Sequence, residues 1–217
     1  MKGLIIKDFL NILKNFKMVG AVLIFYAVLL VMTGNPEGFV GIILMLFAIY
    51  FLTTYSADEN VKWDSYALTL PISRERIVQG KYVTMLLFTL SGFMFSSILM
   101  LIYNVVQNQK NLFNGIKTNA AIAAVVILFN SIMIPVINKV GILKARIYAV
   151  VFYMAVFILG SLISDKIKEL YPAPPENLVR FVEVVFKNAH IAVPLILLAA
   201  LIISYIISVR IYRNKEF

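Results

Sequence analysis

Polar positions punctuate this chain at regular intervals and leave six stretches of about twenty residues without a formal charge. They are Met18–Pro36, Gly38–Ala57, Tyr82–Gln109, Thr118–Asn138, Ile147–Ser164 and Asn188–Arg210, the last closed by its own arginine. A helix of that length rises far enough to cross the roughly 30 Å hydrocarbon layer of a bilayer. The third run, at 28 residues, is long enough to continue as helix beyond the bilayer or to tilt within it. Hydrophobic residues make up 61% of the 217, and no soluble core of that size hides so many helices that are apolar all round. The pattern predicts an all-α, polytopic membrane protein with six spans, residues 1–217 forming one transmembrane domain.

The segments between the runs have patterns of their own. Over 2–17, Ile5, Phe9, Ile12 and Phe16 recur at helical spacing opposite Lys7, Asn11 and Lys14. This predicts an amphipathic helix along the inner headgroup layer with its lysines toward anionic lipid, serving either as a basic anchor or as a force-transmitting element. Gly34-Asn35-Pro36-Glu37-Gly38 is dense in turn formers, so the first two spans form a tight hairpin. The G-x-x-x-G spacing there is no helix-pairing motif, because Asn-Pro-Glu interrupts the helix it requires.

The polar stretch 56–81 is the most informative. Ser56 suits the cap of a short helix over 58–70 whose first turn holds Asp58 and Glu59, where acids favour the positive end of the dipole. Trp63, Tyr66, Ala67 and Leu70 then share one apolar face, leaving Glu59, Lys62 and Asp64 available to water or a partner. Pro71 ends this helix. A second begins at Ser73, with Ile72 and Ile77 placed as a hydrophobic staple, and runs through Lys81 into the third span. The Trp63 stripe fits either a helix resting at headgroup depth or a protein-docking knob. Residues 165–188 hold Pro172-Ala173-Pro174-Pro175 and then an apolar face of Leu178, Phe181, Val182, Val185 and Phe186, which predicts an amphipathic helix on the outer side.

Basic residues set the orientation, since Lys and Arg near spans stay on the cytoplasmic side. With the amino terminus inside, fourteen basic residues fall in cytoplasmic segments, among them Lys2, Lys62, Arg74, Lys144 and Arg213, and six fall outside: Lys110, Lys117, Lys166, Lys168, Arg180 and Lys187. Both termini are therefore expected in the cytoplasm of a multi-pass protein of the cell membrane. The net charge of +9 is then largely a topology signal. A nucleic-acid role would need a basic groove with exposed stacking aromatics, and no segment outside the spans offers one. The start of the chain lacks the short apolar core and small-residue cleavage site of a signal peptide, so it reads as retained.

Candidate chemistry is sparse. Cysteine is absent, which excludes a disulfide framework and thiolate chemistry, and His190 is the sole histidine, so neither a metal site nor acid–base catalysis is expected. Gly80-Lys81 has Glu75 where a phosphate-binding loop needs glycine and is followed by Tyr82 in place of Ser or Thr. ATP is not hydrolysed by this chain on that reading. No run carries Asp, Glu, Lys or Arg at its centre, which argues against an ion-coupled carrier. Asn130 and Ser131 in the fourth span are positions for either a translocation path or helix packing. Gly92 with Ser96, Ala120 with Ala124 and Gly160 with Ser164 make small-residue faces for close helix contact.

Glu59, Trp63, Tyr66, Leu70-Pro71-Ile72-Ser73-Arg74, Ile77-Val78 and Lys81-Tyr82 together resemble the signature between spans two and three of small six-span permeases of the ABC-2 type, type V exporter-like membrane subunits of bacterial ATP-binding-cassette transporters. The resemblance implies that 58–70 is a coupling helix docking on a cytosolic ABC ATPase through Asp58, Glu59, Lys62, Trp63, Asp64, Tyr66 and Leu70. It also implies a second permease subunit, with ATP and Mg bound by the ATPase and no cofactor in this chain. The cargo it suggests is a hydrophobic or amphipathic compound such as a membrane-active or antimicrobial peptide. The outer helix would then help to close the exit, or rest on the outer leaflet. Two other classes remain: a membrane-embedded regulatory or immunity subunit that recruits an ATPase without passing cargo, and an ion-coupled carrier or channel.

Overall fold

The computed structural model describes residues 2–13, 20–22, 24–25, 28, 36–108, 113, 115–151 and 189–215. Among them every regular element is a helix: α1 Lys2–Leu13, α2 Pro36–Asn60, α3 Trp63–Ala67, α4 Arg74–Val106, α5 Ile116–Val140, α6 over 142–151, and α7 Ala189–Arg213. Four stretches are long and apolar enough to cross a membrane, namely Gly41–Asn60, Arg74–Val106, Ile116–Val140 and Ala192–Arg213. They correspond to the second, third, fourth and sixth apolar runs. Most of the first and fifth runs and the whole outer segment 165–188 lie outside the described residues.

α4 has 33 residues, about 50 Å at the helical rise and so longer than a hydrocarbon layer. Its surplus is polar and comes first. Ser73 is the N-cap, its side chain accepting from the Arg76 N–H, and Arg74-Glu75-Arg76 form the opening turn as the sequence predicts. Ile72 and Ile77 meet in one apolar cluster, as a staple requires.

α2, α5 and α7 end where α4 begins, and α1 and α3 lie at this same end; α5 packs on α7 and α2 on α4. The packing is close where side chains are small. Gly92 of α4 is buried, and a Cβ there would stand 2.8 Å from Phe47 Cγ and 2.9 Å from Phe47 Cβ. Those atoms cannot swing away as a side-chain tip can. We expect Gly92→Ala to push α2 off α4 and cost about 1–3 kcal/mol, the usual range for overpacking. Thermal unfolding in detergent measures it, and an unchanged midpoint would contradict this contact.

A polar joint ties three helices nearer the α1 end. Pro135 lies inside α5 and has no N–H, so the carbonyl of Ser131, four residues earlier, loses its helical donor. Ser204 of α7 donates its hydroxyl to that carbonyl, and the same hydroxyl meets Tyr82 Oη of α4 at 2.5 Å. Tyr82 Oη is also 3.0 Å from Ser208 Oγ. In an apolar medium a freed carbonyl must find a donor within the protein. The Ser131 carbonyl thereby joins α5 to α7 and, through Ser204, to Tyr82 of α4.

Candidate functional site

At the α1 end, the 58–70 segment departs from the helix that its sequence predicts. α2 continues unbroken through Asn60, so Ser56 caps nothing; its hydroxyl accepts from Arg146 Nη2 at 2.8 Å. Asp58 and Glu59 stand at the carbonyl end of a helix, where acids are disfavoured. Each is answered from elsewhere in the fold. After Asn60 the chain turns through Val61 and Lys62, and Lys62 takes a left-handed conformation at φ 50 that is uncommon for a residue with a side chain. Only Trp63–Ala67 is then helical. Leu70 lies in the turn that follows, short of Pro71.

Asp58 belongs to a cluster of four charges, of which Asp8, Asp58 and Lys81 are buried and Lys7 is partly exposed. Lys7 Nζ lies 2.6 Å from Asp58 Oδ1 and 3.2 Å from Asp8 Oδ1, and Lys81 Nζ lies 2.7 Å from Asp58 Oδ2 and 3.0 Å from Asp8 Oδ1. The charges alternate around the cluster and cancel. Thr54 and Thr84 complete it, with hydroxyls 3.3 Å from Lys81 and from Asp8. Lys81 also sits 4.7 Å from the centre of the Tyr55 ring, and Lys7 sits 4.3 Å from that of Trp63, both within the reach of a cation on an aromatic face.

This corrects the lipid-facing side predicted for Lys7 of the amino-terminal helix, while Lys14 lies outside the described residues. Lys7 turns inward, Asp8 is buried, and the exposed face of α1 is Ile6, Phe9 and Leu10. Ile12 and Phe16 fall outside the described side chains.

Glu59 accepts the Ile142 N–H at 2.9 Å, a carboxylate at the first turn of α6 where the helix dipole favours an anion. Gly141, in the corner between α5 and α6, has φ 84, and a Cβ there would meet Glu59 Oε1 at 3.2 Å. Asp64 accepts from Tyr212 Oη of α7 at 2.9 Å. Arg74 extends its guanidinium to the carbonyls of Tyr212, Arg213 and Lys215, capping the end of α7. Glu59 and Asp64, whose spacing leaves them available to water or a partner, each make one contact within the fold, and Glu59 stays exposed.

Of the seven residues assigned to docking, the structure brings Asp58, Glu59, Lys62 and Asp64 around one cavity of about 210 Å³ behind the segment, which Tyr55, Lys81, Asn138 and Tyr212 also line. Trp63 is half-buried, its ring 5.5 Å from that of Tyr66. Tyr66 is 57% and Val61 69% exposed, and with Lys62 they form the outward face. Asn130 and Ser131 lie apart from this site, buried between helices, and among the described residues the Asn130 amide has no hydrogen-bond partner. Lys7, Asp8, Lys81 and Tyr212 are parts of the site that sequence reasoning missed. The available signal was Asp8, a lone acid in a basic amphipathic helix.

A family model described as ABC-2 family transporter protein matches residues 3–213. No curated protein and no solved structure matches the chain.

Proposed function

The chain belongs to the ABC-2 family of transporter proteins, and from that premise we propose that it is the permease subunit of an ATP-driven exporter, docked by a separate cytosolic ATPase at residues 58–70. The observation that carries this reading is the two-sided build of that segment. Its outward face presents Val61, Lys62 and Tyr66, while Asp58, Glu59 and Asp64 tie its inner side to α1, α4, α6 and α7. A push on the outer face is passed directly to spans that end there. An aromatic side chain on an exposed turn suits a protein partner.

In this reading the α1 end faces the cytosol, a second permease completes the path, and ATP with Mg binds only to the ATPase. The cargo is hydrophobic or amphipathic, such as a membrane-active peptide, and moves outward. Charge placement supports an external energy source. In the four long helices every Asp, Glu, Lys and Arg lies in the turns near a helix end, and coupling ions in carriers are usually held by ionisable groups inside the spans.

The test is reconstitution. Purified alone, the chain is expected to hydrolyse no ATP and to drive no uptake on a proton gradient in liposomes. With its ATPase it is expected to move cargo in proportion to ATP consumed. Gradient-driven transport by this chain alone would overturn the proposal in favour of a carrier.

A further inference from the structure

Taking 58–70 as the docking segment, we propose that Lys7 and Asp8 of α1 are positioning residues for it, which makes α1 a strut of the docking apparatus. The inference rests on that reading and on four contacts. Asp8 pairs with Lys81 at 3.0 Å, Lys7 pairs with Asp58 at 2.6 Å, Lys7 covers the Trp63 ring, and Leu4 packs on Gly80. Together they fasten one face of α1 to the end of α2, the start of α3 and the first turns of α4.

The opposite face, Ile6, Phe9 and Leu10, is 53–55% exposed and apolar, as a lipid-contacting surface should be. A helix lying on lipid for anchorage alone has no use for a buried aspartate. Asp8 is 2% exposed, and a buried carboxylate is tolerated only with paired cations. One of those cations, Lys81, belongs to α4, which follows the docking segment, and the other, Lys7 of α1, reaches Asp58 at the end of α2. The segment also needs support at this point, because α2 stops at Asn60 and the connection to Trp63 passes through Lys62 in its left-handed conformation. Lys7 grips both sides of that connection, Asp58 before it and Trp63 after it.

The inference separates fastening from charge, and that gives its test. A Cβ built at Gly80 stands 3.4 Å from Leu4 Cβ, near the separation that a disulfide spans, and the chain has no cysteine of its own. The soluble, Walker-loop ATPase that co-purifies with the wild-type chain is the probe. Asp8→Asn is expected to weaken its binding about tenfold and to lower cargo moved per ATP. Adding Leu4→Cys and Gly80→Cys to Asp8→Asn, then oxidising, is expected to restore both, and reduction to remove them again. Lys7→Gln with the same cysteine pair gives a second, milder route to the same comparison.

Wild-type binding by both charge variants would overturn the inference, as would an oxidised tether that restores nothing or a pair that forms no disulfide. Trp63→Ala run alongside separates this from failure of the docking reading. If Trp63→Ala loses the ATPase while Asp8→Asn keeps it, the strut is wrong and the docking segment stands. Retention by Trp63→Ala as well removes the segment itself.

Discussion

Lys81→Met is expected to be the most destabilising single change at the α1 end. Lys81 is 9% exposed at its side chain and bridges Asp8 and Asp58, whose side chains are 3% and 8% exposed. Methionine fills similar space but leaves two buried carboxylates sharing Lys7. Breaking a buried pair by removing one partner typically costs about 3–5 kcal/mol, because the uncompensated charge stays behind. The double variant Asp8→Asn with Lys81→Met removes one charge of each sign and should recover part of that loss.

Arg213→Ala is the contrast. Its pair with Glu75 has side chains 61% and 41% exposed, and such surface pairs are worth about 0–1 kcal/mol. Thermal unfolding in detergent at low and high salt distinguishes the two. The Lys81 effect should persist in high salt, since buried pairs are weakly screened, and any Arg213 effect should fade. Equal, salt-sensitive losses would contradict burial of the cluster.

Four of the six predicted spans and the start of α4 were legible because their causes are local. A charge-free run reports a lipid-length helix, and Ser73 with Ile72 and Ile77 forms a cap and staple within one turn. The 58–70 helix misled for the same reason. Ser56, Asp58 and Glu59 suit a helix start by cap and dipole, yet α2 runs on because distant groups answer the acids: Lys7 and Lys81 for Asp58, and the Ile142 N–H for Glu59.

Lys7 and Lys81 read as topology charges beside spans, and nothing along the chain marks a partner 51 residues away. Asp64 with Tyr212 is the extreme case, at a separation of 148 residues. Ser131 was legible only in part. Pro135 announces a freed carbonyl in sequence, but Ser204 as its donor follows from the packing of α7 on α5.

The proposed docking surface carries the second large effect. Tyr66 is exposed with Trp63 packed beside it, and Lys7 holds the Trp63 ring from the other side. Tyr66→Ala removes a contact surface, while Trp63→Ala removes the support that orients it. Truncating an aromatic interface anchor commonly costs on the order of 2 kcal/mol or more, roughly thirtyfold in affinity. Tyr66 is exposed and outside the core, whereas Trp63 is half-buried at the edge of the core and touches Lys7, so Tyr66→Ala should leave insertion and thermal stability nearly unchanged and Trp63→Ala should lower stability less than Lys81→Met.

The most direct measurement of the central claim is therefore the affinity between the detergent-purified chain and its Walker-loop ATPase, taken for wild type, Trp63→Ala and Tyr66→Ala, with cargo-stimulated ATP hydrolysis recorded on the same samples. The account predicts that both variants stay folded, bind the ATPase at least about tenfold more weakly and lose cargo stimulation. Wild-type affinity and stimulation in both variants would contradict it, and would leave the segment as a turn resting on the membrane surface.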